Sequence, residues 1–155
     1  MNKPMSEKTL VIVPCGQKKI WDRHPDCQAI EAKKAYTGPP FKLNRQFAEK
    51  FGDSWVILSA KYGFVEPSFL IDAPYNVTFK RKSSNPVDVE ALVKQVKSMK
   101  LDRFGRLIGL GGKEYREAIS SAFETSMVEL AFPFAGLPIG KMMQATKRAI
   151  HDDLF

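Results

Sequence analysis

Apolar positions along this chain follow two different periods. Thr9-Leu10-Val11-Ile12-Val13 is an unbroken aliphatic and β-branched run bounded by Pro14 and Gly16, as in a strand buried on both faces. Ser54-Trp55-Val56-Ile57-Leu58-Ser59 repeats it and ends at Lys61-Tyr62-Gly63. Arg106-Leu107-Ile108-Gly109-Leu110 ends in Gly111-Gly112, and Met127-Val128-Glu129-Leu130-Ala131-Phe132 ends in Pro133. These runs predict four strands. Between them the spacing becomes helical. Phe41, Asn44, Phe47, Ala48 and Phe51 share one face and stop at Gly52. Val89, Leu92, Val93, Val96 and Met99 form a stripe behind Asn85-Pro86, which reads as an N-cap followed by proline at the first helical position. Tyr115, Ala118, Ile119, Ala122 and Phe123 make a third stripe, and Ile139, Met142, Met143, Ala149 and Ile150 a fourth. Asp26 to Ala35 carries a fainter helical pattern.

Strands alternating with helices imply parallel pairing through right-handed crossovers. The expected fold is α/β, a three-layer α/β/α sandwich with a mostly parallel central sheet of about four strands, forming one domain over residues 1–155. Between Phe64 and Asn85 the pattern breaks, with Pro67, Pro74 and Asn76 interrupting short apolar pieces. That stretch is too apolar for a linker, and long connections in compact domains are often functional.

Composition narrows the class. With 44% hydrophobic and 26% charged residues and no low-complexity tract, the chain reads as an ordinary globular domain. Its longest apolar runs fall far short of the roughly 20 residues that span a bilayer. Met1 to Lys8 shows no apolar secretory segment, so a cytoplasmic protein without a membrane partner is expected. Cys15 and Cys27 then read as reduced thiols. Together with His24 and His151 they offer no Cys-x-x-Cys or His-x-x-x-His pair to pre-order a metal, and neither metal nor cofactor is expected. The net charge of +7 is uneven: residues 1–50 hold ten Lys or Arg against five acids, and residues 80–106 hold eight against three. Such local excess favours a polyanionic partner, with a merely solvated face as the alternative.

In open parallel sheets ligands bind beyond the carboxyl ends of the strands, where loops and helix N-termini converge. Three segments qualify: Cys15-Gly16-Gln17-Lys18-Lys19, Ser59-Ala60-Lys61-Tyr62-Gly63 and Gly109-Leu110-Gly111-Gly112-Lys113. Each joins small residues, which permit close backbone approach, to lysine or an amide. None completes a nucleotide signature. Gly109, Gly111 and Gly112 begin like a dinucleotide fingerprint, but Glu114 stands where the third glycine belongs. Gly112-Lys113 and Gly140-Lys141 lack the hydroxyl residue of a phosphate-binding loop, which disfavours ATP hydrolysis and nicotinamide chemistry. Cys15 is a candidate thiolate or polar lining, and Lys61 a candidate amine nucleophile or phosphate grip. Asp72, within Leu70-Ile71-Asp72-Ala73-Pro74-Tyr75-Asn76, is an acid among apolar residues, either tuned by desolvation or serving as a loop cap.

Three ordered motifs resemble those of the YaaA-like, peroxide stress proteins. They are Ala35-Tyr36-Thr37-Gly38, then Leu58-Ser59-Ala60-Lys61-Tyr62-Gly63-Phe64-Val65-Glu66-Pro67, then Ile71-Asp72-Ala73-Pro74-Tyr75-Asn76. Val13-Pro14-Cys15-Gly16-Gln17-Lys18-Lys19 is similar to the opening of shorter relatives, and Leu107 to Tyr115 matches more loosely. The resemblance implies an intracellular, DNA-binding protein linked to oxidative damage, without an assigned reaction; this chain shows no helix-hairpin-helix insertion, so its basic loops would have to bind the DNA instead. The expected function is therefore action on DNA, with an N-glycosylase that removes a damaged or modified base as the favoured reaction. A non-catalytic DNA-binding module and an enzyme of free nucleosides or nucleotides are the alternatives. Lys18, Lys19, Lys61 and Lys113 would grip phosphate, Tyr36, Tyr62 and Tyr75 would stack or donate, Asn76 and Gln17 would read base edges, and Tyr115 is a further binding residue. Asp72, Tyr62 and Lys61 are the catalytic candidates. Thr37, Gly38, Ser59, Gly63, Gly109, Gly111 and Gly112 complete the expected binding loops with Cys15 and Gly16.

Overall fold

The computed structural model describes residues 3–155, so residues 1 and 2 of the stretch read above as lacking a secretory segment lie outside the described residues. The elements in chain order are β1 (Thr9–Pro14), β2 (Ile30–Glu31), α1 (Ala32–Ala35), α2 (Pro39–Phe51), β3 (Ser54–Ser59), β4 (Gly63–Val65) and β5 (Leu70–Ile71). Then come α3 (Val89–Ser98), β6 (Arg106–Gly109), α4 (Lys113–Ala122), β7 (Glu129–Ala131) and α5 (Ile139–Asp152). The main sheet has five strands in the order β4-β3-β1-β6-β7. β1 pairs in parallel with β3, from Leu10 opposite Ser54 to Pro14 opposite Leu58, and with β6, from Thr9 opposite Arg106 to Ile12 opposite Gly109. β7 extends the parallel set beyond β6, while β4 folds back antiparallel on β3.

The four predicted strands correspond to β1, β3, β6 and β7. The fifth, β4, begins at Gly63 and runs through Phe64 into the start of the broken stretch. The continuous apolar run of β1 has a direct cause: Leu10, Val11, Ile12 and Val13 are all fully buried, and successive side chains point to opposite faces. Val11 and Val13 join Ile57, Ile108 and Leu110 in one apolar cluster with Phe41, Phe47 and Ala48 of α2 and Ala149 of α5. Leu10 and Ile12 join Val56, Leu58 and Leu107 in another, with Leu92 and Val96 of α3 and Ile119 and Ala122 of α4. Among the described residues no helix is long and apolar enough to cross a membrane.

Two local expectations are corrected. Asn85-Pro86 does not open α3. Asn85 has a left-handed backbone (φ 61°) closing a short turn, and the cap is Asp88, whose carboxylate accepts from the Ala91 N–H at 2.8 Å. Asp26 to Ala35 forms a helix only over Ala32–Ala35, because the backbone of Ile30 and Glu31 pairs antiparallel with Ile71 and Leu70. That two-stranded ladder stands apart from the main sheet and anchors the long connection to the start of α1, with the Ala32 N–H donating to the Phe69 carbonyl at 2.7 Å.

Candidate functional site

The parallel strands β1, β3, β6 and β7 lie in the spatial order β3-β1-β6-β7. The chain therefore leaves β1 toward one side and later returns to its other side as β6. Connections diverge at such a reversal, and a crevice opens at the carboxyl ends of the two strands. The Leu110 N–H donates to the Ile12 carbonyl at 3.0 Å, and the Cys15 N–H to the Leu58 carbonyl at 3.0 Å, which brings the three strand-end loops level. Gly111 lies against Pro14: a Cβ built on it would stand 2.9 Å from the proline Cγ.

A cleft of about 470 Å³ occupies this crevice. Its lining is mixed. The N-terminus of α4 contributes Gly112, the N-cap, where no side chain caps the free N–H groups. Lys18 from the first loop, Lys80 and Thr78 from the long connection, and the Glu114 carboxylate line the cleft as well. The start of α2 contributes Pro39, Pro40, Phe41 and Asn44, with Lys18 lying against Gly38 beside Pro40, and the chain entering α5 contributes Leu137, Ile139 and Met142. Cys15 and Tyr115 also line the cleft, the tyrosine hydroxyl 3.2 Å from Sγ.

Behind Cys15 is a compact polar cluster. The Tyr75 hydroxyl bonds to those of Tyr36 and Ser59, the latter at 2.8 Å, and Ser59 Oγ accepts from the Lys61 and Tyr62 N–H groups at 3.2 Å. Lys19 is buried. Its Nζ donates to the Gln17 carbonyl at 3.2 Å and lies 4.5 Å from the Tyr75 ring centroid. Burial lowers the pKa of Lys19 below its usual 10.5. It pushes those of Tyr36, Tyr75 and Tyr115 well above 10.0, with Cys15, when charged, adding to the effect, so these phenols remain neutral donors. Phe79 stacks edge-on to Tyr115 with centroids 5.4 Å apart. Together with Tyr75 it holds the long connection over the strand ends and sets Thr78 and Lys80 at the cleft.

Of the residues expected from sequence, Cys15, Gly16, Gln17, Lys18, Gly38, Gly111, Gly112 and Tyr115 line the cleft. Lys19, Tyr36, Ser59 and Tyr75 belong to the cluster behind it. Thr37 ties its N–H to the Lys18 carbonyl at 3.0 Å. Tyr62 packs edge-on to Tyr75, outside the cleft, and Lys61 is exposed with Nζ 5.0 Å from the Tyr62 ring centroid, not a desolvated amine. Gly63 turns β3 into β4 at φ 76°, and Gly109 is closed in by the Phe132 ring. Lys113 is exposed and pairs with Glu117 at 3.8 Å. Asp72 and Asn76 are exposed and outside the cleft. Of the two roles open to Asp72, tuning by desolvation is excluded, because it follows the buried Ile71 and is exposed to water. The carboxylate in the cleft is instead Glu114, at the position where the sequence departs from the dinucleotide fingerprint. Lys80, Thr78 and Asn44 were missed as well. Asn44 alone carried a local signal, as a polar residue on the apolar stripe of α2.

The model of a family of unknown function, DUF6884, matches residues 10–148. The uncharacterized protein YfjM of Bacillus subtilis (strain 168) is 36% identical over 146 residues, covering 94% of this chain and 97% of its own length. No solved structure matches the chain significantly. The match overturns the YaaA-like resemblance: the Ser59–Gly63 turn and the Pro74-Tyr75 pair, which carried it, occur here in a chain whose matched family spans nearly its whole length.

Proposed function

We propose that this chain, which belongs to the DUF6884 family, draws one nucleotide unit of DNA into the strand-end cleft and hydrolyses its N-glycosidic bond, releasing a damaged or modified base. The observation that carries this reading is that one cleft is lined both by lysines, an open helix N-terminus and a carboxylate and by a set of apolar side chains. The uncapped α4 N-terminus, Lys18 and Lys80 suit a phosphate. Pro40, Leu137 and Ile139 suit the face of a base. Glu114 then lies beside the sugar. Its carboxylate opposes the positive charge that develops as the base departs with the bonding electrons and accepts a proton from the water whose hydroxide adds to C1′; that proton then passes to the departed base, which restores the carboxylate. The Lys80-Arg81-Lys82 run is exposed and pairs with no carboxylate among the described residues, which favours a polymer over a free nucleotide.

In the same reading the helices on the two sheet faces are the outer layers of a three-layer α/β/α sandwich, and the site of action is the cytoplasm. Free Cys15 and Cys27 support a reducing compartment.

Single- and double-stranded oligonucleotides bearing damaged or hypermodified bases, together with free nucleosides and nucleotides, would be incubated with the protein and assayed for released base. Release from at least one oligonucleotide is expected, and Glu114→Gln should lower it about 100-fold or more without changing the melting temperature. Salt-sensitive DNA retention with no base released from any substrate would leave a non-catalytic binding module. Release from free nucleosides alone would make this an enzyme of the monomers.

A further inference from the structure

We infer that the chain takes DNA as a single strand across two neighbouring hollows, one nucleotide in the cleft and the adjoining one in a second hollow beyond residues 78–82; the inference rests on the nucleotide reading of the cleft. The second hollow, of about 370 Å³, is lined by Phe79, Pro86, Val87, Val89 and Ala118 among others. One short segment borders both spaces with alternating residues: Thr78 and Lys80 line the cleft, and Phe79 and Lys82 line the second hollow. Helix α4 does the same. Its Tyr115 belongs to the cleft, and Ala118, three residues on and about 4.5 Å further along the axis, belongs to the hollow. The Phe79 and Tyr115 rings meet edge-on with centroids 5.4 Å apart, so the two spaces share one aromatic partition.

Charge and polarity say what fits there. Lys80, Arg81 and Lys82 are exposed at successive positions between the two spaces, and apolar Val89 stands open to water inside the second one. Cations that track a backbone beside aromatic and apolar groups that receive its bases are the means by which proteins hold single strands. Asp88 also lines the second hollow, where its carboxylate caps α3 by accepting from the Ala91 N–H at 2.8 Å. Its charge repels a phosphate from that space and leaves it to a base, with the phosphates on the Lys80-Arg81-Lys82 run. The loop is closed in advance: Ser84 Oγ accepts from the Thr78 N–H at 3.0 Å, and the Asn85 N–H donates to the Lys82 carbonyl at 3.0 Å. Such a backbone does not have to be ordered when a strand binds. In a duplex, successive bases stack about 3.4 Å apart. Two bases seated on either side of the Phe79 and Tyr115 pair are unstacked, which a single strand permits and a duplex resists.

Titration calorimetry with the 5′-phosphorylated mono- and dinucleotides of the four common deoxynucleosides tests this. At least one dinucleotide should bind about tenfold or more tightly than its mononucleotide. Replacing either of its bases by an abasic sugar should remove most of that gain. Val89→Glu should remove it too, with mononucleotide affinity and melting temperature unchanged, because an acid at the first position of a helix is well accommodated. An undamaged single-stranded dodecamer should bind more tightly than its duplex, and Arg81→Gln should lower the salt slope of that binding by about 0.7. A dinucleotide no better than its mononucleotide, a gain that survives the loss of a base or Val89→Glu, or a duplex bound as tightly as the single strand overturns the second hollow and leaves the cleft reading standing. An unchanged salt slope in Arg81→Gln overturns the path along the basic run. Failure of every nucleotide and oligonucleotide to bind overturns this inference and the cleft reading together. Should Val89→Glu fold poorly, Val89→Gln supplies the same comparison.

Discussion

Gly111 and Gly112 are adjacent in sequence and differ in what they do. Gly111 has φ +113°, a conformation that side-chain-bearing residues avoid, and a Cβ there would press on Pro14 at 2.9 Å. Its carbonyl accepts from Arg116 Nη1 at 3.3 Å, fixing the turn. Gly112 has an ordinary backbone with φ −76°, and a Cβ on it would meet nothing closer than Glu114 Oε2 at 3.9 Å. Gly111→Ala should therefore cost about 1–3 kcal/mol, read as a melting temperature lower by several degrees. Gly112→Ala should lower melting by less, the cost of a poorer N-cap being under about 1 kcal/mol, and should weaken phosphate binding by crowding the approach to the α4 N-terminus. Equal melting temperatures for the two variants would contradict this division. The sequence presents the pair as one glycine-rich turn, in which a tight turn and a phosphate cradle look alike. Only the backbone angles separate them.

Helix α3 shows how far local pattern reaches. Its apolar stripe was visible, but its start was misread because Asn85-Pro86 satisfies the residue preferences of a cap as well as Asp88 does. Nothing local marks Gln95. Its Oε1 accepts from the Phe64 N–H and its Nε2 donates to the Tyr62 carbonyl, both at 2.8 Å, so one amide clamps the turn between β3 and β4. A side chain pairing with backbone more than thirty residues away leaves no periodic trace, and three-residue β4 is equally silent. Gln95→Leu would strand a backbone donor and a backbone acceptor, at about 1–3 kcal/mol each where they are shielded from water. Asp88→Ala should cost only about 1 kcal/mol, the usual worth of an N-cap. Urea denaturation of the two variants checks the order. A smaller loss for Gln95→Leu than for Asp88→Ala would show that water replaces the clamp.

At the scale of the whole chain, alternation of strand and helix made the parallel sheet legible, and the strand-end rule led to the edge at which the cleft lies. Strand order, and with it the reversal between β1 and β6, was not legible, since it depends on which faces the helices cover. Nor did the sequence reveal that segments distant along the chain meet at one tyrosine cluster: Tyr36 after α1, Tyr75 on the long connection and Tyr115 on α4, together with Ser59 at the end of β3 and Cys15 after β1. That cluster has a consequence for alkaline stability. Burial raises the pKa of all three phenols above the ordinary 10.0. Below 10.0 they are protonated in the folded and unfolded chain alike, and stability is intact. Above it the unfolded chain releases protons that the native protein retains, so stability falls as pH rises toward the folded values. Lys19 acts in the opposite sense just below 10.5, because its lowered pKa leaves the unfolded chain with the extra proton there. Three tyrosines against one lysine make the net change a loss above 10.0. Urea midpoints should drop steeply there, with most of the tyrosinate absorbance appearing together with unfolding rather than before it. Tyr115→Phe removes one releasable proton and should make the alkaline decline shallower, even though it also removes the contact with Cys15 and lowers stability at neutral pH. Tyrosinate absorbance that develops fully while the circular dichroism of the native fold persists would show that the cluster is open to solvent and does not bind the chain's distant segments together.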